Sequence, residues 1–363
     1  MVVLTSIGKL QLWLMILFMT ASFTNAQTLK VGVVGLSHDH AHGIMNQFKK
    51  GEAVIIGIVE TDRPLIERYK QRYQLEESLF YKSTEEMLSR VKPDAVLAYN
   101  AIADHLAVVE ACAPKGISVM VEKPLATTVK DAERIAALAK QHNIHVLTNY
   151  DTTWYPSNQQ INTMVHEQNS IGSIRKMVVH DGHQGPKEIG CSAEFLAWLT
   201  DPVKNGGGAL TDFGCYGANL MTWLMKGKAP VAVTAVTHQI KPNIYPKVDD
   251  DATILLEYDD ATGIVEASWN WPFGIKDLEV FGTTGYLHAQ NGNTIRERKK
   301  DLYENVQVKS PAYTSNLVYL ADVLKGKTKP ENDLSSLSNN VILVKILEAA
   351  RQSAKDGKRI VLK

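Results

Sequence analysis

The first residues with chemical promise follow the apolar run Leu29 to Gly35, in the order Gly35-Leu36-Ser37-His38-Asp39-His40. A strand ending in glycine and followed by a helical stretch is where a dinucleotide-binding loop would stand, in the spacing GxGxxG. The first glycine makes the tight turn, the second lets the backbone approach the pyrophosphate, and the third lets the helix pack on the strand. Only the first is present here. Ser37 and His40 occupy the other two positions and compromise those roles, while the helix start still offers backbone donors to a phosphate. Glu60 closes the second apolar run, where a carboxylate accepts hydrogen bonds from ribose hydroxyls and repels a 2′-phosphate, which favours NAD over NADP. Arg63, close by, blurs that preference. The cluster His38, Asp39, His40 and His42 has a rival reading as metal ligands at the start of a β/α barrel. A barrel needs about six or seven more strand–helix units, and alternation stops near residue 150, so no metal is expected.

The elements that must position these residues alternate at first. Strands are expected at 53–60, 94–99, 117–121 and 144–148, and helices at 63–73, 84–90, 105–115 and 128–142. Such alternation implies a parallel sheet with crossover helices. Beyond about Tyr150 one helix (158–168) precedes strands at 174–180, 231–239, 252–258, 263–269 and 278–281, read as a mostly antiparallel sheet with one open face on which a substrate could lie. A last amphipathic helix, 335–354, ends at Gly357 and could pack at the domain junction.

Length and composition fit two cores. The chain has 363 residues, is 45% hydrophobic and 21% charged, and carries 39 basic against 39 acidic side chains. No global field would draw nucleic acid or an anionic membrane, so a small neutral ligand is favoured. Lys9, the apolar run Leu10 to Phe23 and Thr24-Asn25-Ala26 read as a secretory signal peptide cut after Ala26. The run is short for a bilayer span, so no stable membrane anchor is expected and the destination is the periplasm or the exterior. Cys112, Cys191 and Cys215 form no CxxC pair and are read as small buried hydrophobes.

The strongest local signal is Val121-Glu122-Lys123-Pro124-Leu125-Ala126 at a strand end. With Gly206-Gly207-Gly208-Ala209-Leu210-Thr211-Asp212-Phe213-Gly214-Cys215-Tyr216-Gly217-Ala218-Asn219 it resembles the Gfo/Idh/MocA oxidoreductases, through their Glu-Lys-Pro mark and their GGGxLxDxGxHxxD signature. His105, the 248–257 strand with Asp250, and Phe281-Gly282-Thr283-Thr284-Gly285 extend the resemblance over the chain from Leu29 onward. It implies an α/β Rossmann domain at 27–150, after the signal peptide at 1–26, and an α+β substrate and oligomerisation domain with a large, mostly antiparallel open sheet at 151–363. Where much of the family has histidine, position 216 holds tyrosine, as in the branch containing glucose-fructose oxidoreductase and the dihydrodiol and xylose dehydrogenases. Where the signature ends in Asp, this chain has Asn219.

The resemblance implies Lys123 and Tyr216 as the acid/base pair with Asp212 supporting, and Gly35, Ser37, His38, His40, Glu60, Asn100, His105, Glu122 and Lys123 around the cofactor. An isolated tyrosine with a pKa near 10 is a poor base at neutral pH, and the Lys123 ammonium is expected to lower it. Trp154, His180, His183 and Asn219 are expected to contact a carbohydrate, although Trp154 suits core packing equally well. The leading expectation is a nicotinamide-dependent oxidoreductase acting on a sugar, polyol or glycoside. Export makes free nucleotide scarce, and a tightly held cofactor would ease that problem. One alternative is an NAD-dependent glycosidase that oxidises transiently, eliminates and re-reduces, with His183 or His180 as the extra base. Another is an inactive sugar-binding relic of the fold. A homo-oligomer through the carboxy-terminal sheet is implied by the resemblance alone.

Overall fold

The computed structural model describes residues 28–362. The signal-peptide reading falls on residues 1–26 and lies outside them. Six runs form parallel strands: β1 (Leu29–Val34), β2 (Ala53–Val59), β3 (Phe80–Tyr81), β4 (Ala95–Ala98), β5 (Ser118–Glu122) and β6 (Val146–Asn149), in the order β3-β2-β1-β4-β5-β6. Every residue of β4 and β5 is buried, as both faces of a parallel sheet covered by helices require. The crossovers are α1 (Ala41–Lys49), α2 (Arg63–Tyr73), α3 (Thr84–Arg90), α4 (His105–Cys112) and α5 (Val129–His142). Local chemistry sets their ends: the Asp62 carboxylate accepts the Leu65 N–H at 3.2 Å with Pro64 in the first turn of α2, and Thr128 accepts the Asp131 N–H at 3.1 Å to start α5.

A short turn (Asp151–Trp154) leads to α6 (Pro156–His166), β7 (Ile174–Gly182), α7 (Ala193–Leu199), α8 (Ala209–Asp212) and α9 (Gly214–Leu224). Then come β8 (Ala232–His238), β9 (Asp251–Glu257), β10 (Thr262–Ser268), β11 (Ile275–Gly282), β12 (Tyr286–Asn291), β13 (Thr294–Arg298), β14 (Tyr303–Val306), α10 (Asn316–Leu324), α11 (Leu337–Asp356) and β15 (Ile360–Val361). The second sheet runs β14-β13-β12-β11-β7-β10-β9-β8-β15 and is antiparallel except where β7 lies parallel to β10. Three helices separate β7 from the next strand in sequence, which frees it from hairpin pairing. α9 is buried along its whole length against the inner face of this sheet, with Gly217 so close to Val265 that a Cβ would stand 2.6 Å from its methyls. α11 packs on α9, β8 and α5, joining the two halves.

The sequence reading overlooked β12 to β14, α7 and α10. α10 carries most weight for the architecture. Its Leu317 and Leu320 are fully buried in one cluster with Leu29, Val31, Ile44 and Leu97 of the first sheet and its helix, so a late segment completes an early core. No helix among the described residues is long and apolar enough to cross a membrane.

Candidate active site

At the carboxyl ends of β1, β2 and β4 lies a cleft of about 480 Å³, lined by Gly35, Ser37, Glu60, Asp62 and Asn100. This is where an open α/β sheet takes its ligand. Gly35 has φ +80°, and a Cβ there would lie 2.7 Å from the Asn100 Cβ and 2.8 Å from its backbone, so glycine is required. Asn100 Oδ1 is buried without a hydrogen-bond partner among the described residues. An orphan acceptor and a glycine pinch in one cleft fit a dinucleotide. The loop spends several of its own donors: Gly35 N–H bonds Val59 O at 2.8 Å, His38 N–H bonds Tyr99 O at 3.0 Å, and Leu36 N–H bonds Glu60 Oε2 at 2.9 Å. Glu60 Oε1 also accepts the Thr61 and Asp62 amides, so the carboxylate is held rigidly at the cleft, where its remaining lone pairs could receive ribose hydroxyls.

One wall of the cleft comes from the second half of the chain. Glu194, Ala197, Trp198 and Lys204 line it, and the segment carrying them is tied down at several points. Glu194 pairs with Arg68 of α2, Lys204 with Asp104 at 3.1 Å, and the Ser192 N–H with Asp39 Oδ2 at 3.0 Å. His38 is corrected by this arrangement. It was expected to face the cofactor, but its ring is buried against Phe195 (centroids 4.6 Å apart) and Trp198 (5.4 Å), and burial lowers its pKa well below the ordinary histidine value. His105 is likewise internal: its Nδ1 meets Leu125 O at 3.2 Å and burial takes its pKa down to about 4, so it braces the loop after β5.

Glu122, fully buried, stands at a second cleft of about 320 Å³ that His40, Asn149, Asp151, Trp154 and Asn316 also line. Its two oxygens are held by the Asn149 amide at 2.7 Å and His40 Nδ1 at 3.0 Å, and Trp154 Nε1 donates to Asn149 Oδ1 at 3.0 Å. Burial opposes charge on His40, but the Glu122 carboxylate more than offsets it and raises its pKa. His38, His40 and Glu122 bring ligand-type atoms within 4.8 Å of one another. His38 Nδ1 already accepts the His40 amide, and His40 Nδ1 is bonded to Glu122, so the trio reads as a hydrogen-bonded set.

Lys123, Asp212 and Tyr216 do converge. Lys123 Nζ lies 2.5 Å from Asp212 Oδ1 and 3.0 Å from the Asp212 carbonyl, and Trp269 Nε1 donates to Asp212 Oδ2 at 3.0 Å. Burial alone would raise Asp212; the adjacent ammonium outweighs it and holds the carboxyl below its usual range. The same ammonium is 5.0 Å from the Tyr216 ring centroid. Its expected lowering of the tyrosine pKa is corrected by the surroundings. Burial is the largest cause, Asp151 and Asp181 add negative charge, and the Tyr216 pKa moves well above 10.

A second cation here escaped the sequence reading. Lys276, on β11, places Nζ 4.0 Å from the Tyr216 ring centroid, bonds Asp151 at 2.9 and 3.1 Å, and lies 4.0 Å from Asp181. Asp181 is buried with Oδ1 unpartnered among the described residues, and burial raises its pKa well above the carboxylate range. The signal was present in β7: Met177, Val179 and Asp181 share one face, and the first two are apolar.

That parity corrects His180. It projects from the opposite face, where its Nδ1 meets Asp277 at 2.7 Å and His288 holds the other Asp277 oxygen at 3.1 Å. Asn219 is corrected too: fully buried, it donates to Leu334 O at 2.9 Å at the contact of α9 with the segment leading into α11, away from any cleft. His183 stays near the site, its ring 4.8 Å from that of Phe213, with Nδ1 accepting the Gly185 N–H at 2.9 Å. An accepting Nδ1 leaves Nε2 protonated, a donor toward substrate.

Comparison with known proteins gives two family matches: "Oxidoreductase family, NAD-binding Rossmann fold" over residues 29–150, and "GFO/IDH/MocA C-terminal domain" over residues 159–288. Among curated proteins, trans-1,2-dihydrobenzene-1,2-diol dehydrogenase of Xenopus tropicalis is 22% identical over 82% of this chain and 89% of its own length. Myo-inositol 2-dehydrogenase of Thermotoga maritima is 21% identical over 72% and 75%. Among solved structures, aldose-aldose oxidoreductase from Caulobacter crescentus, complexed with glycerol, superposes with a TM-score of 0.78 at 21% identity, over 93% of this chain and 100% of that one. An inositol dehydrogenase homologue from Azotobacter vinelandii, complexed with NAD+, gives 0.77 at 17% identity, over 93% and 98%.

Proposed function

The chain belongs to the Gfo/Idh/MocA oxidoreductases, with an NAD-binding Rossmann domain, and from that premise we propose that it oxidises or reduces a sugar or polyol at one carbinol carbon, Tyr216 moving the hydroxyl proton. The observation that carries this reading is the Tyr216 ring with the Lys276 and Lys123 ammonium groups 4.0 and 5.0 Å from its centroid. NAD, when bound, supplies the hydride acceptor or donor. Gly35, Glu60 and Asn100 would hold its adenosine side and Glu122 with His40 its ribose hydroxyls nearer the chemistry. Tyr216 rests as the phenol, the form that gives a proton to a carbonyl oxygen, and takes one from a carbinol only as phenolate. Asp212, held on both oxygens, fixes Lys123. Trp154, which lines the cleft with Glu122 and His40, and His183, beside Phe213, are the side chains assigned to the sugar. The substrate class is supported by what the named relatives act on.

A second reading is favoured by the segment 192–204, which ties the second half of the chain across the dinucleotide cleft. A cofactor walled in this way suits a redox-neutral cycle, as in an NAD-dependent glycosidase. The extra base which that cycle needs is not supplied by His180, on the far face, nor by His183, whose Nε2 carries the proton. We also place the mature protein outside the cytoplasm, on the strength of Lys9, the run Leu10 to Phe23 and Thr24-Asn25-Ala26. Self-association through the outer face of the second sheet is proposed from the family resemblance.

One preparation tests the cofactor and export readings together. Protein recovered from the periplasm is expected to begin at Gln27 and, once denatured, to release stoichiometric NAD detectable by mass spectrometry. Stoichiometric release supports the closed cycle and directs the substrate screen to glycosides. Absence of nucleotide, with no calorimetric binding of added NAD or NADP, would leave a sugar-binding relic.

A further inference from the structure

We propose that Lys276 is a positioning residue for Tyr216: its ammonium, standing over the phenol ring, sets how readily that phenol gives up its proton. No sequence signature marks it, and its part in turnover rests on the oxidoreductase reading above. The groups facing Tyr216 come from five places: Lys123 at the end of β5, Tyr150 and Asp151 after β6, Asp181 in β7, Asp212 and Cys215 beside it in α8 and α9, and Lys276 in β11. Of the two cations, Lys123 is the more fully compensated, being 2.5 Å from a carboxylate and bonded to a carbonyl as well. Lys276 is nearer the ring and about a quarter exposed, and its close counter-charge is Asp151, at 2.9 Å. Asp181 Oδ1, buried without a hydrogen-bond partner among the described residues, lies farther off, at 4.0 Å from the Lys276 ammonium. The ring electrons that Lys276 faces become more negative when the phenol ionises, which strengthens the contact in the phenolate.

The cross-strand register makes the placement specific. Lys276 pairs with Asp181 across β11 and β7, while the next residue, Asp277, pairs with His180 on the outer face. A shift of one residue would carry the ammonium to the wrong side of the sheet.

The test is a titration of the full-length protein carrying difluorotyrosine at position 216, whose phenol is more acidic than tyrosine, followed by fluorine NMR. Lys276→Met is expected to raise the midpoint by about one pH unit, a tenfold loss of phenolate at fixed pH, and Lys276→Arg to return it toward the starting value. Asp151→Asn, which removes the counter-charge, is expected to move the midpoint down. Opposite shifts from the two partners cannot come from a loosened fold. The pH profile of substrate oxidation should follow in the same order. An unmoved midpoint in Lys276→Met, or Asp151→Asn moving the same way as Lys276→Met, overturns the proposal. The titration needs no turnover, so shifts without activity would sink the oxidoreductase reading, and activity without shifts would sink the role of Lys276.

Discussion

Tyr216→Phe is expected to cut turnover by about 10²- to 10⁴-fold, the range general acid–base groups contribute, while bound nucleotide and the thermal transition stay where they were. The substitution removes one oxygen and keeps the ring. Tyr150 still meets that ring edge-on at 5.4 Å and Phe213 at 6.2 Å, so packing of α9 is preserved. The pH dependence gives a second check on the intact enzyme. Burial first, then Asp151 and Asp181, put the Tyr216 pKa well above 10. Oxidation needs the phenolate, so its rate should climb tenfold per pH unit up to the alkaline limit of stability, whereas carbonyl reduction, which needs the phenol, should be flat across the same range. Initial rates in both directions measure this. A Phe variant retaining more than a tenth of the turnover would mean that another group moves the proton.

Asp212→Asn is expected to destabilise the fold by about 3–5 kcal/mol at neutral pH, because it leaves the Lys123 charge buried with no counter-charge. Lys123 and Asp212 are 5% exposed each, so water cannot take over the lost partner. The acid dependence has a fixed sign. The Asp212 pKa is lowered in the folded state, so the pair contributes fully above the unfolded carboxylate value near 4 and is lost as pH falls through the folded one. The gap between wild type and Asp212→Asn in urea denaturation should therefore be widest near neutrality and close in strong acid. Replacing both partners, Lys123→Met with Asp212→Leu, should recover much of the loss in stability and none of the activity. If the single variant unfolds at the wild-type midpoint, the buried pair is not the constraint on α8 that its distances imply.

The parts legible in the sequence were those whose information is local. Gly35 ends a strand, Thr128 caps a helix, and Glu122-Lys123-Pro124 sits directly after a buried run; each is set by near neighbours in the chain. Lys123 and Tyr216 came together only through a resemblance, since 93 residues separate them. Lys276 was missed because its meeting with Asp151 and Asp181 depends on the pairing of β11 with β7, which no single segment encodes. His180 was misjudged by one step of strand parity, a step that Met177 and Val179 would have corrected. Asn219 was assigned from its place in a signature, whereas its direction is set by α9 packing against α11. His38 was expected at the cofactor because α7, which covers it, was overlooked.

Leu317 and Leu320 belong to the core formed by β1, α1 and β4, although more than 150 residues of other structure lie between. A ribosome delivers the nucleotide-binding sheet long before it delivers its last wall. Until α10 emerges, that apolar surface has no native cover, and the early half can only be provisional. The two halves should thus be stable together or not at all, melting in one transition, with the last-made segment deciding whether the first-made sheet keeps its shape.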